Sequence, residues 1–111
     1  MSLVSSEASL LVDMAPDFAE ELRLLLLAED AGDLAIRVAD LQVIDRCRCG
    51  DRFCSTFYAA PAKAPYGPEH CTIALCPEAG MINVDVVAGK IVCVEVLYRD
   101  DFRPKLHAAL T

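Results

Sequence analysis

The densest chemistry in the chain is Cys47-Arg48-Cys49-Gly50-Asp51-Arg52-Phe53-Cys54. Residues two apart on a strand point the same way, so Cys47 and Cys49 share a face. Cys54 joins them if the hairpin loop between the strands has an even length. A two-residue loop sets it opposite Cys47, and a four-residue loop sets it opposite Cys49. Zinc takes thiolate and imidazole in a tetrahedral set, and His70, Cys71 or Cys76 is the candidate fourth ligand. The spacing departs from the usual C-x-x-C knuckle. Redox chemistry is the second reading. Neighbouring thiols can pair, and Arg46, Arg48 and Arg52 favour a nearby thiolate. No C-x-x-C opens a helix, which is the thioredoxin-like arrangement. Against both stands the bland alternative that the cysteines are inert, since free cysteine packs as a small hydrophobe.

Other reactive residues lack partners at motif spacing. His70 follows Pro-Glu at a loop-to-strand junction, and His107 falls on a C-terminal helix. Both are expected at the surface or at a cap, with His70 the better metal candidate beside Cys71. Asp85 and Glu95 fall on one sheet face, with Asn83 opposite Glu95. Paired carboxylates do acid–base chemistry when their pKa values are driven apart, but an exposed face salt-bridged to a hairpin arginine is the expectation here. Phosphate loops, nucleophile elbows, HExxH and EF-hand patterns are absent. Whether the chain is an enzyme is left open, leaning towards not.

Composition narrows the classes. The 111 residues are 55% hydrophobic and 24% charged, which suits a single packed domain. Net charge is −7, which argues against nucleic acid and against an anionic membrane surface. Residues 1–45 hold ten acids and two bases, whereas residues 46–111 hold seven acids and eight bases. The N-terminal part therefore reads as an acidic helical layer, with a basic protein as the sharper partner expectation. The apolar run Leu24 to Ala28 is far short of the roughly 20 residues a spanning helix needs. With no signal-like start, the cytoplasm is the expected compartment, where thiols stay reduced.

Residues 1–15 read as an N-terminal arm carrying Leu10, Leu11 and Val12. A helix is expected from Pro16, a residue suited to the first helical position. Its apolar stripe is Phe18, Leu22, Leu25 and Leu26. After the break at 29–33 a shorter helix presents Leu34, Val38 and Leu41. From 42 the period becomes two. Strands are expected at 43–49, 53–59, 71–76, 81–87 and 91–98, with a proline-rich loop at 60–69. The apolar alternations align if Cys76 pairs with Met81 and Val87 pairs with Ile91 across a three-residue turn. A final helix, capped by Asp100 or Asp101 with Pro104 in its first turn, buries Phe102, Leu106 and Ala109 or Leu110.

The ending Gly89-Lys90-Ile91-Val92-Cys93-Val94-Glu95-Val96-Leu97 resembles the last hairpin strand, G-[KR]-I-V-x-[IV]-E-[IV]-L, of small bacterial domains of unknown function. The segment from Asp45 to Asp51, with Cys54 and Thr56-Phe57-Tyr58, resembles stretches of short bacterial proteins. The resemblance implies no activity, cofactor or site residue.

The expected fold is α+β. It is an antiparallel meander of about five strands, packed on one face by two N-terminal helices and a short C-terminal helix. Residues 16–111 form the domain, divided into a helical layer at 16–41, a sheet at 42–98 and a helix at 100–110. The expected function is a non-catalytic interaction module, self-associating through the mixed sheet face or the N-terminal arm, with no cofactor. The alternative is a thiol-cluster protein that binds structural zinc or does redox chemistry through Cys47, Cys49 and Cys54, with His70 and Cys71 as further candidate ligands.

Overall fold

Apolar residues at helical spacing from Pro16 and at strand spacing from Met81 build two layers that share one core. A computed structural model describes residues 9–61 and 65–110. The helix α2 (Pro16–Ala28) opens on its proline and buries Phe18, Ala19, Leu22 and Leu26. A short helix α3 (Gly32–Arg37) runs into a 3-10 turn at Val38–Asp40. Leu34, Val38 and Leu41 are buried, as their spacing requires. The closing helix α4 (Arg103–Ala109) has Pro104 in its first turn and seats Leu106 in the core.

Two sheets face these helices. In the five-stranded sheet, β3 (Asp45–Arg46), β4 (Phe57–Tyr58), β5 (His70–Ala74), β6 (Met81–Val87) and β7 (Lys90–Leu97) lie in the order β3-β4-β7-β6-β5. Every pair is antiparallel. The α+β class and the strand number match the sequence expectation, but the order is not that of a simple meander. β5, β6 and β7 form a meander, and the β3–β4 hairpin attaches to its β7 edge. The proline-containing 59–69 connection carries the chain from β4 to the far edge.

The inner face of the central strands is apolar. Ile82, Val84, Val94, Val96 and Phe57 are almost wholly buried, and the Phe57 and Phe102 rings lie 5.8 Å apart. Phe102 stacks in turn on Phe18 at 4.1 Å, which joins the sheet, α4 and α2 in one aromatic column.

Four expectations need correction. Residues 9–15 are not a loose arm. β1 (Ser9–Leu10) pairs with β2 (Gln42–Val43), and α1 (Leu11–Met14) buries Leu11. Leu11 and Val43 are apolar enough to draw the segment into the core, whereas residues 1–8 lie outside the described residues. Secondly, Val87 pairs with Lys90 rather than Ile91, so the turn has two residues. A bulge follows, because Val86 pairs with Ile91 but Asp85 with Cys93, leaving Val92 as an extra residue. The bulge restores the expected phase, and Asn83 still faces Glu95. Thirdly, Asp101 does not cap α4 through its side chain but binds Arg99. Finally, the strands of the first hairpin are short, and residues 47–56 form an extended tip.

Candidate thiol site

The tip of the first hairpin carries the three clustered thiols. Asp45 pairs with Tyr58 and Arg46 with Phe57, and the Cys47 N–H donates to the Thr56 carbonyl at 2.8 Å. Carried forward, this register sets Cys49 level with Cys54 and leaves Gly50 to Phe53 as a four-residue loop. Cys54 bridges Leu97 on β7, so it lies on the sheet face turned away from the helices. The sulfurs of Cys47, Cys49 and Cys54 all lie within 4.8 Å of one another. Three thiolates on a tetrahedral zinc, with bonds near 2.3 Å, sit about 3.8 Å apart. Small side-chain rotations therefore close this trio around an ion. Cys47 and Cys54 are half-buried, and Cys49 is exposed.

Backbone and arginine contacts fix the hairpin. Arg46 Nε donates to the Leu110 carbonyl at 2.7 Å. From α4, Arg103 donates to the carbonyls of Cys54 and Asp51, both at 3.3 Å. The Ser55 N–H donates to the Val96 carbonyl at 2.7 Å, and the Tyr98 N–H to the Phe53 carbonyl at 2.7 Å.

The thiols are electrostatically unequal. Burial works against a Cys54 thiolate, but hydrogen bonds from the Thr56 hydroxyl and N–H, and from the Cys49 and Cys47 thiols, outweigh it. The net result lowers the Cys54 pKa. At Cys49 a hydrogen bond from the Asp51 backbone favours the thiolate. Sharing its proton with Cys47 and Cys54, together with local desolvation, prevails and pushes it up to about 11.

The other candidate ligands lie apart from this trio. His70 is on β5, three strand spacings from β4, or about 14 Å. Its Nε2 meets Asp85 Oδ1 at 2.8 Å, and the Thr72 hydroxyl donates to the same oxygen at 2.7 Å. Cys71 points to the helical side, where it lines a groove with Asp33, Arg37 and Ile73. Cys76 lies beside Leu24, Leu25 and Glu78 under α2. Among the described residues, no fourth Cys, His, Asp or Glu joins the cluster.

Asp85 and Glu95 do not pair with the hairpin arginines as expected. Asp85 takes His70 and Thr72, and Glu95 accepts from Asn83 Nδ2 at 2.8 Å. Of the hairpin arginines, Arg46 donates to the Leu110 carbonyl and Arg48 to Asp45.

Sequence reasoning missed three contributors. Thr56 is buried beneath the thiols and also accepts from the Val96 N–H at 3.2 Å. Its even spacing from Cys54 was the available signal. Tyr66, from the proline-rich loop, hydrogen-bonds the Cys93 thiol, and its ring lies 4.9 Å from that of His70. Burial first, then the Asp85 charge, pushes Cys93 up to about 12, so it stays a protonated packing residue. Arg103 lies 49 residues from Cys54 and gave no local signal.

Comparison with protein-family models, with curated proteins and with solved structures finds no match for this chain. No helix among the described residues is long and apolar enough to cross a membrane.

Proposed function

We propose that the chain binds a soft transition-metal ion, zinc in the first instance, through the thiolates of Cys47, Cys49 and Cys54. The observation that carries this is the mutual approach of the three sulfurs to within 4.8 Å. Thiolate sets select zinc and copper(I) over hard cations such as magnesium and calcium. Arg46 and Arg103 donate to backbone carbonyl oxygens, Arg46 to Leu110 and Arg103 to Cys54, which holds the backbone that carries the thiols. A reducing compartment such as the cytoplasm keeps such thiols available for metal.

Elemental mass spectrometry on untagged protein, purified without chelator or reductant, tests the proposal. One zinc per chain is the expected result, falling towards zero in Cys47→Ser. A ratio near zero in the unmodified chain overturns it.

Self-association is a second reading, favoured by one surface feature. Phe53 and Tyr98 stack at 5.2 Å while 41% and 61% exposed, and Met81 nearby on β6 is 48% exposed. Sedimentation at high micromolar concentration should then show a dimer, and a monomer rules it out. The exposed acids of α2 and α3 support a basic partner only through charge.

A further inference from the structure

We propose that the three-thiolate site leaves one coordination position open to an incoming thiolate, so that the metal passes through by ligand exchange and does not hold the fold together. This rests on the metal-binding proposal above.

Structural zinc sites are closed, with all four ligands supplied by the protein, whereas sites that exchange ligands keep a position free. Here Cys47, Cys49 and Cys54 come together, and no fourth ligand group joins them among the described residues. The residues best suited to the role are engaged elsewhere. His70 is bonded to Asp85, Cys71 lies on the opposite face of the sheet, and Cys93 is buried under Tyr66.

The hairpin is also held without an ion. Arg46 ties it to the Leu110 carbonyl, and Arg103 ties its two sides through Asp51 and Cys54. The hydrophobic core lies on the other face of the sheet and includes none of the three thiols. A metal that nucleates a fold spends its binding energy on ordering the chain. In this chain that ordering is supplied by the core and by the arginine–carbonyl bonds.

Access fits the same conclusion. Cys49 is exposed at the loop, and the space beyond Gly50 is open.

In the exchange, the incoming thiolate forms a metal–sulfur bond as the metal–oxygen bond to water breaks and water leaves. For onward transfer, the metal's bonds to the three cysteines break in turn, each sulfur taking a proton from solvent, as bonds to the acceptor form. No atom changes oxidation state.

The test loads the full-length reduced chain with cobalt(II), one equivalent under argon, and titrates 2-mercaptoethanol. Thiolate-to-cobalt charge-transfer absorbance should rise by about one third as three metal–sulfur bonds become four. Stripping the metal with a chelator should leave far-ultraviolet circular dichroism and the melting midpoint within about 2 °C, because a ligand contributes stability only as far as it binds the folded state. Charge-transfer bands that do not respond to added thiol overturn this inference and leave metal binding intact. Unfolding on chelation also overturns it. Failure of cobalt(II) to produce any charge-transfer band overturns the metal-binding proposal itself.

Discussion

The guanidinium of Arg103 and the carbonyl oxygen of Cys54 meet at 3.3 Å, although 49 residues separate them in the chain. The same side chain reaches the Asp51 carbonyl, also at 3.3 Å. It therefore braces the 50–53 loop that separates Cys49 from Cys54, through backbone oxygens rather than through the sulfurs. Groups that orient metal ligands typically contribute about 10-fold or more in affinity. Arg103→Ala should weaken zinc binding by about 10-fold in competition with a chromophoric chelator. Unchanged affinity in a folded variant removes Arg103 from the site.

Arg99 is buried to 7% exposure and holds Glu21 at 2.6 Å and Asp101 at 2.8 Å. Its guanidinium also lies 5.6 Å from the centre of the Phe18 ring. It ties α2 to the end of β7 and to the approach of α4. Stranding a buried charge costs about 3–5 kcal/mol, but water can reach both carboxylates once the arginine is gone. Arg99→Met should therefore cost about 2 kcal/mol and lower the melting midpoint by about 10 °C. A loss within experimental error in thermal unfolding contradicts this.

Gly80 sits at φ +73°, and a Cβ there would meet the Leu97 carbonyl oxygen and lie 2.8 Å from Arg99 Cδ. Gly89 has a similar φ of +79° but nothing within 4 Å. The pair separates backbone strain from collision. Gly89→Ala should cost about 1 kcal/mol, the strain alone. Gly80→Ala should cost more than about 2 kcal/mol, because the carbonyl cannot move without disturbing β7. Equal losses in urea unfolding mean that the collision relaxes away.

The β6–β7 turn shows where the sequence is legible and where it is not. Ile82, Val84, Val94 and Val96 announce one apolar face, and the same alternation sets Asn83 opposite Glu95, where the two residues pair. Alternation fixes the phase of a strand, because a one-residue slip turns every side chain over. It does not reveal a bulge, which preserves the phase while changing the turn. Two-residue turns of this kind want asparagine or glycine at both central positions, and Ala88 masks the signal. The thiol trio is legible for the same reason as the sheet, through the period of Cys47 and Cys49. Its supports are not, because Arg103 and Tyr66 reach their partners through tertiary packing. Nor is the attachment of β4 to β7. Both orders bury the same apolar face, so alternation does not separate them.

That turn yields a stabilising substitution. Ala88 lies at φ +51° and Gly89 at φ +79°, the two positive values a type I′ turn requires. Alanine is strained there by about 1 kcal/mol, whereas asparagine tolerates it. Ala88→Asn should raise stability by about 0.5–1 kcal/mol, read as a higher urea midpoint at unchanged m. A lower midpoint means that Ala88 makes a packing contribution which outweighs its backbone strain.

His107 supplies a dependence on pH whose sign is fixed by its surroundings. Burial first, then the charges of Arg46, Arg103 and Arg48, lower its pKa from the ordinary 6.5. The unfolded chain therefore takes up a proton near 6.5, while the folded chain resists until the pH is lower. Wherever the unfolded state binds more protons, stability falls as pH falls. The loss begins near 6.5 and is complete below the folded value. Asp101 acts in a separate window. Its hydrogen bonds to Arg99 hold its carboxyl below the ordinary 3.8, so its contribution is lost only in stronger acid. Urea unfolding of metal-free protein at pH 7.5 and pH 5 should show a larger drop for the unmodified chain than for His107→Gln. Parallel losses in the two proteins would show that the fold does not lower the His107 pKa.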